Sequence, residues 1–469
     1  MAFLSSSYEE NIKQLDHAFE NCADIISLEL NLEYMGDSRG KIYFVESAVS
    51  NVTIRKVVLG LSDVFPLETM EDVISTIMTG NAALIIDGKN YALKIRSDGY
   101  PGLGVQEAND EKVLRGSNEG FSDSYKTNQA LIRKRIRTPE LKIEELQSGR
   151  RTKTGIALLY MDTIVRKEVL AEVKKRLKGF ESDGILDSGV IEQLTMDNEY
   201  SPFPQYLTSE RPDKSALALL NGHVVILVDN SPVALILPVN FSSFLKAADD
   251  YYNRFEIVSF VRILRYIAIF FAVSLPALYV SIMNFHPEIL PPDLISIFSV
   301  SRDGIPYPVV VEVLVMEIAF ELIREAGVRI PGPMGNTIGI VGGLIVGSAA
   351  VDASLASPII VIVVALTALC SFTIPNDEFS SAFRLLKYYL ILWSAVFGIY
   401  GYMLGIFSVL VHLCGLKSYG FPYLGPMAAG DIDQYHGERD FIVRFPYMHM
   451  PYRPIFSRPA NRRRFRSRR

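Results

Sequence analysis

Lysine and arginine vanish from three long stretches of this chain: between Arg265 and Arg302, between Arg329 and Arg384, and between Lys387 and Lys417. Cation-free apolar segments of roughly 20 residues are long enough, as helices, to span a ~30 Å hydrocarbon layer. Residues 1–250, by contrast, carry charges throughout. The whole-chain averages, 49% hydrophobic and 21% charged over 469 residues, conceal this division. The pattern argues against a purely soluble enzyme and for a soluble half followed by a membrane half.

Charge then suggests an orientation. Arg254, Arg262 and Arg265 precede the first apolar run, 266–283, whereas the following loop (NFHPEILPPD) has no basic residue. By the positive-inside bias the N-terminal half is expected in the cytoplasm, in keeping with a start (MAFLSSSYEENIKQLDHAFE) that lacks the basic and apolar regions of a signal peptide. A net charge of −5 argues against nucleic acid, although seven arginines crowd into residues 458–469. Cys22, Cys370 and Cys414 lie far apart, with no metal-ligand spacing, so neither a disulfide framework nor a zinc site is expected. No phosphate-binding or nucleophile motif stands in a suitable strand–turn–helix setting; the chain is expected to be non-enzymatic, with no cofactor.

The soluble half contains a repeat. Residues 80–95 (GNAALIIDGKNYALKI) and 222–237 (GHVVILVDNSPVALIL) align without gaps at a step of 142, matching Gly80 with Gly222 and Asp87 with Asp229. Each copy is an apolar run, a polar turn and a second apolar run, which predicts a β-hairpin, and each follows a short helical stretch. Residues 155–161 predict a buried strand, and Val165, Val169, Val173 and Leu177 give 164–179 a helical apolar face. The expected organisation is an α/β region with two related subdomains, followed by an all-α multi-pass transmembrane region. Its boundaries are set at 1–150 (first subdomain and polar linker), 151–250 (second subdomain), 255–415 (membrane helices) and 416–469 (basic tail). Arg133, Lys134, Arg135 and Arg137 read either as a solvated linker face or as an acidic partner's site.

Within the membrane half, Pro276 falls in mid-span of the first helix. The stretch 306–323 carries three acids, Glu312, Glu317 and Glu321; Glu317 and Glu321 share a helical face with Arg324, and Glu312 points away. Carboxylates at membrane depth line water or find a partner, so the pattern suits a wet ion path, an interfacial helix or a Glu321–Arg324 pair. Gly335, Gly339, Gly343 and Gly347 recur every fourth residue, a bare stripe for close helix contact. That contact is either within the chain or between copies around an axis. In the second case Ile338, Val341, Ile345 and Asp352 border a pore, with Glu317 and Glu321 as further pore or gate candidates. Residues 358–374 read as a fourth apolar span, and 388–413, containing Gly401 and Gly405, as one tilted span. Five spans would leave the arginine-rich end outside, so one stretch is expected to be re-entrant or interfacial.

Several long blocks carry a family resemblance: LRGSNEGFSDSYKTNQALIRKRI (114–136), SERPDKSALALLNGHVVILVDNSPVALILP (209–238), GPMGNTIGIVGGLIVGSAAV (332–351), SYGFPYLGPMA (418–428) and RFPYMHMPYRP (444–454). In this order they resemble the A subunits of GerA-type spore germination receptors; the paralogous AF protein of sporulation stage V is similar too. The resemblance implies a subunit of a nutrient germinant receptor in the spore inner membrane, partnered by a permease-like B subunit and a C-subunit lipoprotein. It further implies a homo-oligomer among membrane lipids that forms or gates an ion-conducting path. The alternative is a non-conducting, membrane-anchored scaffold or signalling subunit. The family supplies no catalytic residues.

Overall fold

The computed structural model describes residues 3–32, 38–49, 64–97, 99–100, 115–329, 334–427 and 440–465, with Ala108, Glu111 and Val113 between. The first α/β unit runs α1 (Tyr8–Ala18), β1 (Ile25–Leu32), β2 (Ser38–Val45), β3 (Val64–Leu67), α2 (Met70–Met78), β4 (Ala82–Ile86) and β5 (Ala92–Ile95). The second runs α3 (Tyr125–Arg135), β6 (Leu141–Ser148), β7 (Thr154–Met161), α4 (Lys167–Leu177), α5 (Ser188–Thr195), β8 (Leu207–Ser209), α6 (Pro212–Leu220), β9 (Val224–Val228) and β10 (Ala234–Leu237).

Both sheets are five-stranded and antiparallel, ordered β1-β2-β4-β5-β3 and β6-β7-β9-β10-β8. The predicted hairpins are present in one register: Ala82 faces Ile95, and Val224 faces Leu237. The step of 142 extends to the edge strands, where Leu67 opposite Ala92 becomes Ser209 opposite Ala234. The leading hairpins match too, Ile25 opposite Val45 becoming Leu141 opposite Met161, a step of 116. Before each first strand a buried asparagine repeats one turn. The Asn11 side chain accepts from Ser5 N (3.0 Å) and donates to Ser5 O (2.7 Å), as Asn128 does with Ser122 (2.8 and 2.6 Å). The second unit therefore begins before Tyr125, ahead of the boundary at 151 read from the sequence. Its first helix, too polar to be recognised as a core element by periodicity, packs Leu131 and Ile132 inside.

The basic cluster is not a solvated face. Arg133 is fully buried and forks onto Asp24 of the first unit (2.7 and 2.9 Å), with Thr138 O and Leu141 O each accepting one further N–H. Lys134 and Arg135 both reach Glu119. Ala23 N also donates to Ile143 O, and Ile143 N to Asn21 O, joining the units at the β6 edge.

The helical region comprises α7 (Phe255–Phe285), α8 (Pro292–Ser301), α9 (Val309–Arg329), α10 (Met334–Asp352), α11 (Pro358–Phe372) and α12 (Asp377–Gly415). Among the described residues, α7 and α12 are long and apolar enough to cross a membrane. Pro276 lies inside α7 without ending it. The single tilted span expected at 388–413 is instead the turn of a helical hairpin with parts of both legs, for α12 reverses at Gly398 (φ 59°, ψ −137°). Tyr389 Oη meets Ser408 Oγ at 2.8 Å across its two legs, and a Cβ on Gly405 would lie 2.6 Å from Leu390. No side chain obstructs a left-handed turn at glycine, so the chain folds back where hydropathy alone shows one uninterrupted run.

Both ends of α12 abut the second α/β unit. Phe379 packs against Phe203, Phe241 and Phe244, and His412 Nε2 lies 2.9 Å from Ser201 Oγ. The turn at Gly398 rests on Phe285, at the distal end of α7. Connectivity then gives α7 outward, α9 back, α10 outward, α11 back and α12 out and back. The helical region thus has six legs where the sequence shows five apolar stretches, because α12 contributes two.

The C-terminal segment returns to the second unit. Strands β11 (Lys417–Ser418) and β12 (Phe421–Pro422) form a small hairpin, and Ser418 Oγ donates to Gln205 O. Arg458 N donates to Ile164 O and Arg166 donates to Ile455 O, each at 2.8 Å. A Cβ on Gly222 (φ +97°) would lie 2.7 Å from Ser457 Cα, so this glycine admits the strap. Residues 416–469 are therefore not a free basic tail: their described parts clasp the α/β region.

Candidate functional site: charged pairs inside the helical bundle

The face of α9 predicted to carry Glu317, Glu321 and Arg324 turns toward the first leg of α12. Arg384 and Lys387, three residues apart, share a face of that leg. Lys387 Nζ lies 2.5 Å from Glu317 Oε2, with both side chains buried, and Arg384 pairs with Glu321. Arg324 donates to Ser371 Oγ (3.4 Å) and its guanidinium lies over the Phe372 ring (5.0 Å). The intrahelical Glu321–Arg324 alternative gives way to interhelical pairing, because a helix of the bundle supplies better-placed cations.

Pairing offsets much of the cost of carrying these charges through an apolar bundle. It does not satisfy every atom. Glu317 Oε1 and Arg384 Nε are shielded and lack a hydrogen-bond partner among the described residues. Nearer the distal end, buried Glu312 accepts from Ser357 N at 2.5 Å, and Arg302 lies 3.4 Å from its other oxygen. Glu312 thus caps the start of α11 rather than joining the α12 pairs.

The glycine stripe divides. A Cβ on Gly347 would meet Val361 of α11 at 3.2 Å, but one on Gly343 would find nothing within 4 Å. Ile345 is 58% exposed and Asp352 is exposed. The surroundings of Gly335 and Gly339, and the side chains of Ile338 and Val341, lie outside the described residues. One chain therefore brings Glu317 and Glu321 together on the inner face of α9 and leaves Gly343 and Ile345 on an outer face. The partners Arg384 and Lys387 were missed, although they are the cations that interrupt the longest apolar stretches, a signal that spacing could have supplied.

At the base of the bundle a second network ties α7 to the strap. Arg262 on α7 reaches Asp250 (2.8 Å) and Asp440, and Arg265 also reaches Asp250. Burial by itself would raise the Asp440 carboxyl, but Lys246 and Arg262 hold it well below the usual carboxylate range. Beside the start of α12, burial and then Glu378 push the Glu192 carboxyl up to about 8.

The sequence profile of the Bacillus/Clostridium GerA spore germination proteins matches residues 13–456. The chain belongs to this family. The GerA-family chain is 36% identical to the uncharacterized membrane protein YfkQ of Bacillus subtilis, over 96% of this chain and 91% of that protein. It is 36% identical to spore germination protein KA (96% and 87% covered) and 39% identical to spore germination protein A1 (83% and 80%), both of B. subtilis. Among solved structures, the N-terminal domain of the A subunit of the Bacillus megaterium spore germinant receptor GerK3 is 28% identical. The match covers 51% of this chain and 98% of that one, with a TM-score of 0.40. Membership bears out the resemblance carried by the five sequence blocks and places the GerA-family chain in spore germination.

Proposed function

We propose that this chain is the A subunit of a nutrient germinant receptor, a non-catalytic membrane protein whose copies assemble around an ion path. The α/β region and the strap stand in the cytoplasm, and the six helical legs cross the membrane. A permease-like B subunit and a lipoprotein C subunit are its partners. The observation that carries this reading is the charged seam between α9 and α12, in which paired charges retain unsatisfied atoms at mid-bundle. A partner that binds a nutrient can open the path only by binding one arrangement of these helices more tightly than the other. Exchange of Glu317 and Glu321 between cation partners is the local event assigned to that change.

The outward aspect of Gly343 supports assembly, since it offers another helix a bare approach. Gly343→Leu is expected to leave the single chain folded but to abolish assembly and nutrient-triggered cation release. Purified protein in vesicles is expected to pass monovalent cations, and Glu317→Gln to change that flux at least severalfold. Undiminished cation release from Gly343→Leu spores, or no flux from the assembled chain, would overturn the ion-path reading. The scaffold alternative has one observation in its favour: both seam carboxylates already have cation partners. Its proposed basic docking surface is weakened, because Arg133, Lys134 and Arg135 are engaged within the chain.

A further inference from the structure

Just beyond the end of α12, the β11–β12 hairpin, the first turn of α4 and the strap enclose an open cleft of about 960 Å³. Four cations line it, Arg166, Lys167, Lys417 and Arg458, against one acid, Glu168. Their origins are independent. Arg166 and Lys167 open α4, Lys417 follows the last membrane leg by two residues, and Arg458 comes from the strap. Phe421 also lines the cleft, and the Arg166 guanidinium lies 5.1 Å over its ring.

The polar groups are incompletely used. Helix α4 has eleven residues and no side-chain cap at its N-terminus, so its first-turn amides remain donors at the positive end of the helix dipole. Arg458 donates from Nε to Val165 O at 2.6 Å, while its shielded Nη2 has no acceptor among the described residues. Helix-terminal amides with a guanidinium and two exposed lysines form the chemistry that holds a phosphate. On the last turns of α12, which lead into Lys417, Phe407, Leu410 and Val411 are exposed. A ligand that presents phosphate here and acyl chain there satisfies both surfaces.

We infer that this cleft binds the phosphate of an anionic phospholipid headgroup and thereby fixes the α/β region against the bilayer. The inference rests on the membrane reading of the helical region given above. An anionic leaflet concentrates its attraction within a Debye length of the surface, where Lys417 stands if α12 ends at the interface.

The test uses the full-length protein. Flotation with phosphatidylcholine vesicles establishes insertion; a chain that does not float defeats the membrane reading and this inference with it. For inserted protein, native mass spectrometry from detergent doped with phosphatidylglycerol or phosphatidylcholine reads headgroup preference. The wild-type chain is expected to retain phosphatidylglycerol preferentially. Lys167→Gln with Lys417→Gln is expected to weaken that retention about fivefold per lysine, with α/β unfolding unchanged, because both lysines are exposed. Arg458→Gln also loosens the strap and serves as a second variant. Equal retention of the two lipids, or undiminished preference in the double lysine variant, overturns the inference for a chain that floats. Displacement of phosphatidylglycerol by millimolar inorganic phosphate would assign the cleft to a soluble anion instead.

Discussion

The two α/β units share strand order, hairpin register and the asparagine turn, yet they occupy different physical positions. The first keeps its own cores, formed among residues such as Leu15, Val73, Ile85 and Leu84. The second shares a continuous core with the membrane-type helices, from Leu131 and Leu219 through Phe203 and Phe379 to Leu390. It also holds the strap. Duplication preserved the backbone hydrogen-bond pattern, which depends only on register, while the outer surfaces diverged. Between their second and third strands the step between units rises from 116 to 142, and α4 and α5 of the second unit lie in that longer connection. Those added residues supply one wall of the cationic cleft, and Glu192. One fold thus occurs twice, and the second copy shares its core with the helical region.

The largest expected effect breaks the link between the units. Arg133→Ala leaves Asp24 buried without its cation and is expected to cost about 3–5 kcal/mol. In calorimetry of the solubilised protein, the first unit should then melt separately from the second. A single unchanged transition would mean that the β6-edge backbone bonds suffice.

A paired substitution comes next. Gly222→Ala and Gly80→Ala both place a side chain at positive φ, which costs of order 1–2 kcal/mol. At Gly80 the new methyl meets the side chains of Tyr100 (3.1 Å) and Ala48 (3.4 Å), whereas at Gly222 it meets strap backbone. Gly222→Ala is therefore expected to destabilise by about 2 kcal/mol more and to expose the strap to protease. Equal losses at the two sites would show that the strap does not bear on the second unit.

The smallest effect concerns pH. Glu192 has a folded-state pKa above its unfolded one, so its neutral form is favoured on folding. That contribution is complete below about pH 4 and is lost as pH rises toward 8. Over this window the wild-type second unit is expected to lose stability that Glu192→Gln retains. Parallel stability profiles for the two proteins would remove Glu192 as the cause. The first unit should lack this dependence if it is followed separately.

The legible parts of the sequence were those governed by short-range rules. Alternating apolar runs around Asp87 and Asp229 specified both hairpins, and their common spacing specified a shared register. The helix holding Arg133 was not legible, because its polar residues are satisfied by Asp24 and by backbone carbonyls distant in the chain. The face shared by Glu317 and Glu321 was also readable, since it needs only helical periodicity; Arg384 and Lys387 stood out as cations between apolar stretches, but which acids they meet did not. Gly398 gave no cue among its neighbours: hydropathy records how apolar a segment is, not where its backbone reverses.

By itself the sequence determined the division between charged and cation-free regions, the paired hairpins, the carboxylate face of α9 and the kinship with GerA proteins. Each depends on residue type and local period, which are properties of a linear string. The tertiary structure alone decided that α12 folds back on itself, that its cations meet the α9 acids and that the strap returns to the second unit. Those outcomes require opposite charges and bare glycine surfaces from remote segments to satisfy one another at once, a condition that exists only after the chain has closed around them.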